Sequence, residues 1–262
     1  MTKILGISSK KTGGKTTTFN YLLGMEMLRL GIVRDKFFID DKGDLHISDI
    51  FGDKSFEGIF DPQRRNTGMR TFLQENVSPF IKYYSFAEKL KEMCVDLLEL
   101  KEEQCFGTDE QKNSLTHLKW EDMPGYNNSG LPHGKSGFMT GREVMEYVGT
   151  DVMRKIFDPI WINSTIRQIE KDGSMLAVIC DCRFPNEVGA IHKAGGKVIR
   201  LTRDPFPDST HPAEVSLNKD KFDWEQFDAI IDNANMSVDE KNVAVQLQLE
   251  KWGYVDKLEF NS

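Results

Sequence analysis

Thr12-Gly13-Gly14-Lys15-Thr16-Thr17 is the stretch that decides how this chain is read. A short apolar strand precedes it, Lys3-Ile4-Leu5-Gly6-Ile7. A helical pattern follows through Phe19, Tyr21, Leu22, Met25 and Leu28. Strand, Gly-rich turn, Gly-Lys-Thr and helix, in that order, make a phosphate cradle. Backbone N–H groups of the turn and the positive end of the helix point at an anion. The lysine ammonium reaches the outer phosphates, and a hydroxyl at Thr16 or Thr17 is placed to sit on magnesium. Thr12, Gly13, Gly14, Lys15, Thr16 and Thr17 are therefore the candidate phosphate-binding residues, with Thr16 and Thr17 the candidate metal ligands. The general pattern has glycine five residues before Gly14, and this chain has Ser9 there. Serine does not reach positive φ cheaply. The bland alternative is a solvated Lys/Thr-rich turn before a helix; the strand-before, helix-after context favours phosphate.

Outward from that turn, the C-terminal third alternates strands and helices. Met175-Leu176-Ala177-Val178-Ile179-Cys180 is a continuous apolar run, the mark of a strand buried on both faces. Asp181 ends it. A helix is predicted over 186–193, a strand over 197–201, a short strand over 228–232 and a last helix over 238–252. This alternation gives an α/β fold: a parallel sheet covered by helices on both faces. Ligands of such sheets sit at the carboxyl ends of the strands. One rim then carries the Ser8–Thr17 turn, Asp181 and Arg183, with Arg203 just past the following strand.

Between these parts lie two less regular regions. Residues 35–80 read as an insertion or flap. It contains a hairpin of Lys36–Asp40 and Leu45–Ser48 around the turn Asp41-Lys42-Gly43-Asp44, and a basic group of Arg64, Arg65 and Arg70. Residues 84–172 read as a helical region, and the resemblance of its segments to a known family implies that it binds substrate. Helical periodicity runs from Phe86 to about Leu100. A Gly/Pro/Asn-rich stretch over 107–137 has the makings of a long loop. Thr140 is the predicted N-cap of a helix through Met153, and a further helix begins near Asp158-Pro159. The expected organisation is one domain over 1–262.

Composition narrows the partners. The net charge is −7, which argues against general nucleic-acid binding and leaves local basic clusters for a small phosphorylated ligand. Mean hydropathy is −0.46 and no apolar run is long enough to span a bilayer. The N-terminus lacks the basic-then-apolar layout of a secretion signal, so the cytoplasm is the expected compartment. Cys94, Cys105, Cys180 and Cys182 form no C-x-x-C pair and read as reduced, buried thiols. No structural metal is expected.

Two constellations carry chemistry. The apolar run ending in Asp181 has the form of a Walker B strand, whose acid helps to hold magnesium. Arg183, two residues on, suits either phosphate or base. The second constellation is basic: Lys10, Lys11, Lys91, Arg142, Arg154, Arg183 and Arg203 all lie near predicted element ends. Arg142 opposes the dipole at the start of its own helix and needs another reason, such as a phosphate. Trp161 reads as core by its spacing, with base stacking the rival.

Gly141-Arg142-Glu143-Val144-Met145-Glu146-Tyr147-Val148-Gly149-Thr150-Asp151, then Trp161, then Asp181-Cys182-Arg183-Phe184-Pro185-Asn186-Glu187, then Thr210-His211 and Glu214, resembles the deoxynucleoside monophosphate kinases of tailed bacteriophages. Ser85-Phe86-Ala87-Glu88-Lys89-Leu90-Lys91 resembles that family's first substrate-side helix. The similarity covers residues 1–30 and most of 84–252. It implies an adenylate-kinase-like P-loop NTPase fold. It also implies transfer of the ATP γ-phosphoryl group to a deoxynucleoside 5′-monophosphate, with Mg2+ as cofactor. Carried over, Gly14, Lys15, Thr16 and Thr17 would bind ATP phosphates and magnesium, with Arg203 beside them. Lys11, Lys91, Arg142, Gly149, Trp161, Asp181 and Arg183 would hold the monophosphate, assisted by Glu187. Lys15, Arg142 and Arg183 would be catalytic. The partners implied are small nucleotides, with no membrane. A phage-encoded chain would work in the host cytoplasm. Oligomeric state stays open, a homodimer included. The departures are Ser9, and Thr16 where this family often has an acid.

Three rivals stay open on sequence. A P-loop kinase of another small acceptor, such as dephospho-coenzyme A or a sugar acid, shares the same loop. A nucleotide switch would want Asn-Lys-x-Asp, and Asn218-Lys219-Asp220-Lys221 fails at its fourth place. A non-catalytic nucleotide-binding protein is favoured by Ser9 alone.

Overall fold

The computed structural model describes residues 2–63, 65–124, 135–208 and 212–256. The chain divides into two compact units, Met1–Ser85 with Ile166–Ser262, and Phe86–Thr165.

The first unit opens on β1 (Lys3–Ser8), buried from Ile4 onward, and α1 (Lys15–Arg29). Phe19, Leu22, Leu23 and Met27 form the buried stripe of α1, the helical spacing its sequence carries. β2 (Phe37–Ile39) and β3 (Leu45–Ile47) make the inserted antiparallel hairpin, and β4 (Gly58–Ile59) adds a third strand. The hairpin packs on α1. The Phe37 ring lies 5.8 Å from that of Tyr21, and Asn20 Nδ2 donates to the Gly43 carbonyl at 2.8 Å. Then come α2 (Thr67–Asn76), capped by the Asn66 side chain, and β5 (Ile81–Tyr84). Neither is apparent from periodicity. No residue of α2 is fully buried, and β5 is only four residues, Ile81-Lys82-Tyr83-Tyr84, interrupted by a lysine.

The second unit holds α3 (Glu88–Asp96), α4 (Glu102–Phe106), α5 (Asp109–Lys112), β6 (Leu115–Lys119), β7 (Phe138–Thr140) and α6 (Gly141–Glu146). The stretch expected as a long loop over 107–137 instead contains α5 and β6, which pairs antiparallel with β7 just beyond it; residues 125–134 lie outside the described ones. Thr140 caps α6 as expected. Its Oγ1 accepts from the Glu143 N–H while the Glu143 carboxylate accepts from the Thr140 N–H. From Tyr147 to Met153 the helix widens to π geometry before α7 (Arg154–Ile156). Cys94, Cys105, Trp120, Met139, Val144 and Tyr147 form this unit's core.

Helix α8 (Ile160–Asp172) leads back into the first unit. There follow β8 (Leu176–Cys182), α9 (Pro185–Lys193), β9 (Lys197–Leu201), α10 (Pro212–Val215), β10 (Ala229–Ile231) and α11 (Val238–Lys251). The main sheet has five strands in the order β10-β9-β1-β8-β5, all parallel. The fold is α/β, as the alternation predicts. β8 is the strand buried on both faces, but it runs through Asp181 to Cys182 rather than ending at the acid. Register sets the rim: Ser8 pairs with Cys182 on one side and with Arg200 on the other. The chain beyond β1, β8 and β9 therefore leaves the sheet at one level. All four cysteines are buried and none is in a disulfide.

Candidate nucleotide site

The turn between β1 and α1 is built on two left-handed residues, Thr12 at φ 56° and Gly14 at φ 101°. Glycine takes that conformation freely; threonine there is strained, a feature that clusters at ligand clamps. Ser9, the residue that breaks the general pattern, does not have positive φ. It is buried, its hydroxyl donates to the Lys10 carbonyl at 2.9 Å, and it accepts from Lys15 Nζ at 2.8 Å. Gly13 is glycine because it lies under that hydroxyl. A Cβ there would sit 2.7 Å from Ser9 Oγ and 3.1 Å from the Arg203 carbonyl.

Lys15 is buried, and its ammonium turns into the loop. Besides Ser9 Oγ it donates to the Ser9 carbonyl at 2.9 Å and the Lys10 carbonyl at 2.7 Å. Burial pushes it down to about 8. Arg183 and Arg200 add repulsion, while Glu214 and Cys180 act the other way. Thr16 is exposed at the first turn of α1, whereas the Thr17 side chain packs on the Gly43 turn of the hairpin.

Around the loop, Arg183 follows β8 and pairs through Nη1 with Glu214 of α10. The other oxygen of Glu214 accepts from the Lys11 N–H at 2.6 Å. One carboxylate thus joins the loop backbone to the arginine. Arg203 lies just past β9; its N–H donates to Asn233 Oδ1 at 2.9 Å, and Asn233 Nδ2 donates to the Gly13 carbonyl at 3.2 Å. Asp181 accepts from Ser85 Oγ at 2.6 Å. Lys15, Arg183, Arg203 and Asp181 thus come to one rim. Lys10 is buried and lies 3.7 Å from Asp204. Glu187 plays a structural part. It is buried and accepts from the Arg183 and Phe184 N–H groups, capping α9 and fixing the backbone of Arg183.

In the helical unit, Arg142 finds its dipole compensation within the protein. Its Nη2 donates to Asp109 at 2.7 Å and its Nε to Asn113 at 3.0 Å. Lys91 lies over the Phe106 ring at 5.2 Å. Burial holds Lys112 below the usual lysine range, with Lys91 and Arg142 adding repulsion and Asp109 opposing. Lys91, Lys112 and Arg142 therefore form one cationic cluster. Trp161 is 6% exposed and donates its indole N–H to the Gly149 carbonyl at 3.1 Å. Gly149 sits in the π-helical stretch, where a Cβ would meet Leu90 at 2.6 Å. Both residues have packing roles, and for Trp161 the core reading holds over an open stacking platform. Arg65 lies ahead of α2 and Arg70 on it. Arg64, Thr210 and His211 lie outside the described residues.

Sequence reasoning missed Lys112, Asn233, Arg200 and the bridging role of Glu214. Arg200 is buried in β9, donates to Ser8 Oγ at 2.9 Å and stacks on Trp224. Only their three-dimensional neighbours mark these residues; no local motif does. Among the described residues, no group of three His, Cys, Asp or Glu side chains is arranged to hold a metal, and no helix is long and apolar enough to cross a membrane.

A parallel sheet whose rim gathers a Gly-Lys-Thr turn, an acid and an arginine defines an α/β protein with a candidate phosphate-binding rim. No family model matches the chain. Over 172 residues, 60% of this chain and 76% of the relative, it is 30% identical to a protein of Acanthamoeba polyphaga mimivirus named "Putative deoxynucleotide monophosphate kinase". The chain belongs to the deoxynucleotide monophosphate kinase family.

Proposed function

We propose that the protein transfers the γ-phosphoryl group of ATP to a deoxynucleoside 5′-monophosphate, giving the diphosphate and ADP. The observation that carries this reading is the Lys15 ammonium, buried inside the Gly-rich turn and close enough to Arg183 to feel its charge. The name of the mimivirus relative supports the acceptor class.

In this reading the N–H groups of residues 12–17 and the end of α1 take the ATP phosphates. Lys15 neutralises the outer ones. Mg2+ bound with ATP would add positive charge to the phosphates. The donor chemistry fits: Thr16 offers an exposed hydroxyl and Asp181 a carboxylate, both hard oxygens. Thr16 is the better ligand of the two threonines, because Thr17 is engaged by the hairpin. Arg183, held by Glu214 against the loop, stabilises charge on the transferred group. Arg203 and Lys11 extend the same positive rim. The cluster of Lys91, Lys112 and Arg142, in excess over Asp109, recognises the acceptor phosphate. The acceptor is already an oxyanion, so no general base is needed; positioning and charge neutralisation carry the reaction.

The test is a coupled ADP-release assay against a panel of deoxynucleoside and ribonucleoside monophosphates. Release that depends on a deoxynucleoside monophosphate is expected. Release without any acceptor would make the protein an ATPase. Silence with every acceptor would make it a binding protein.

A further inference from the structure

Lys241 lies on α11, is 3% exposed, and points at the base of the Gly-rich turn. Its Nζ donates to Thr18 Oγ1 at 2.9 Å, to Asn242 Oδ1 at 2.5 Å and to the Gly14 carbonyl at 3.4 Å. The ammonium is 3.7 Å from where a Cβ on Gly14 would stand. It therefore sits directly behind the residue at which the turn becomes α1. Each of these partners is neutral.

A buried ammonium paired only with neutral groups is costly. Here the N-terminus of α1, itself positive, makes the position worse. Burial pushes Lys241 down to about 7, and the one titratable group felt from another element, the Cys180 thiol of β8, opposes that only weakly. Burial pushes that thiol itself up, so it is neutral. An uncharged side chain of the same length would carry no such desolvation cost here. The charge makes sense if a negative group arrives on the other side of Gly14, and a phosphate loop brings one.

We propose that Lys241 is a positioning residue of the phosphate loop: it braces the Gly14 carbonyl and the first turn of α1 from behind, and its counter-charge is the bound polyphosphate. This rests on the reading of the loop as the ATP site. Lys241 acts through Gly14 and α1, not by touching the reacting atoms. Asn233 braces the adjacent Gly13 peptide from the same side.

The experiment compares wild type, Lys241→Met, Lys241→Gln and Lys15→Met for ATP affinity, KM for each substrate, and thermal midpoint without nucleotide. Lys241→Met is expected to melt higher than wild type while its KM for ATP rises about tenfold, the factor of a modest charge interaction, with the acceptor KM unchanged. Lys241→Gln is expected to weaken ATP binding likewise, and it decides by that criterion if the methionine variant does not fold. A residue that only supported the fold would give a lower midpoint with ATP affinity intact, and that result overturns the inference. Loss of ATP binding in Lys15→Met with full affinity in both Lys241 variants would overturn the inference alone. Failure of the wild type to bind ATP would overturn the reading of the loop as well.

Discussion

Ser9 shows how a pattern can be broken without breaking the site. The backbone strain of the turn falls on Thr12 and Gly14, so a side chain at position 9 is tolerated. Its hydroxyl then fills the space Gly13 leaves open and accepts from Lys15. Gly13→Ala is expected to lower the thermal midpoint and abolish ATP binding. Ser9→Gly in that background should restore part of the midpoint, and strict additivity across the four proteins would show that the two positions do not meet. Lys15→Ala should cut turnover by orders of magnitude while leaving the midpoint no lower, because it removes a buried cation; a folded variant with near-normal turnover would refute the assignment. The pH dependence has two signs. Lys15 has a folded value near 8 against 10.5 in the unfolded chain, so between these the unfolded state binds more protons and stability rises with pH. Phosphate binding needs the ammonium, so kcat/KM should fall as pH rises through about 8. Glu214 holds the Lys15 value up, so Glu214→Gln should move that alkaline limb to lower pH; a limb that stays put would separate Glu214 from Lys15.

Elements were legible where their physics is local. β1, α1 and β8 announce themselves by apolar runs or by a helical stripe, and the Thr140–Glu143 box marks its helix start within four residues. β5 and α2 were not legible, because each is half-exposed and short of apolar signal. Strand β6 hid in a Gly/Pro/Asn-rich stretch that composition reads as loop. The candidate site divides the same way. The Gly-Lys-Thr turn is one contiguous signal, whereas Glu214, Asn233 and Lys241 lie more than two hundred residues from the backbone they hold. No window along the chain contains both partners. Arg142 is the instructive case. Its opposition to the helix dipole pointed to a phosphate, and the protein supplies Asp109 and Asn113 instead. That pair is exposed on both sides, so Arg142→Ala should change stability by under ~1 kcal/mol. Its effect should appear in the acceptor KM, at about tenfold or more, if the cationic cluster holds the acceptor; an unchanged KM would leave Arg142 as a surface brace of α5.

For the molecule as a whole, charge is partitioned. The chain carries −7, yet the turn and the cluster on the helical unit are each locally positive. Such contrast suits a small anionic ligand. The class of the protein follows from its sheet, its turn and its relative; the particular acceptor follows from chemistry that only turnover can report. The most direct measurement follows the γ-phosphoryl group itself. ATP labelled at that position is incubated with the protein, Mg2+ and each deoxynucleoside monophosphate in turn, and the products are separated. Label in a deoxynucleoside diphosphate, dependent on Lys15, is the predicted result. Label appearing only as inorganic phosphate, or remaining in ATP with every acceptor, would contradict it.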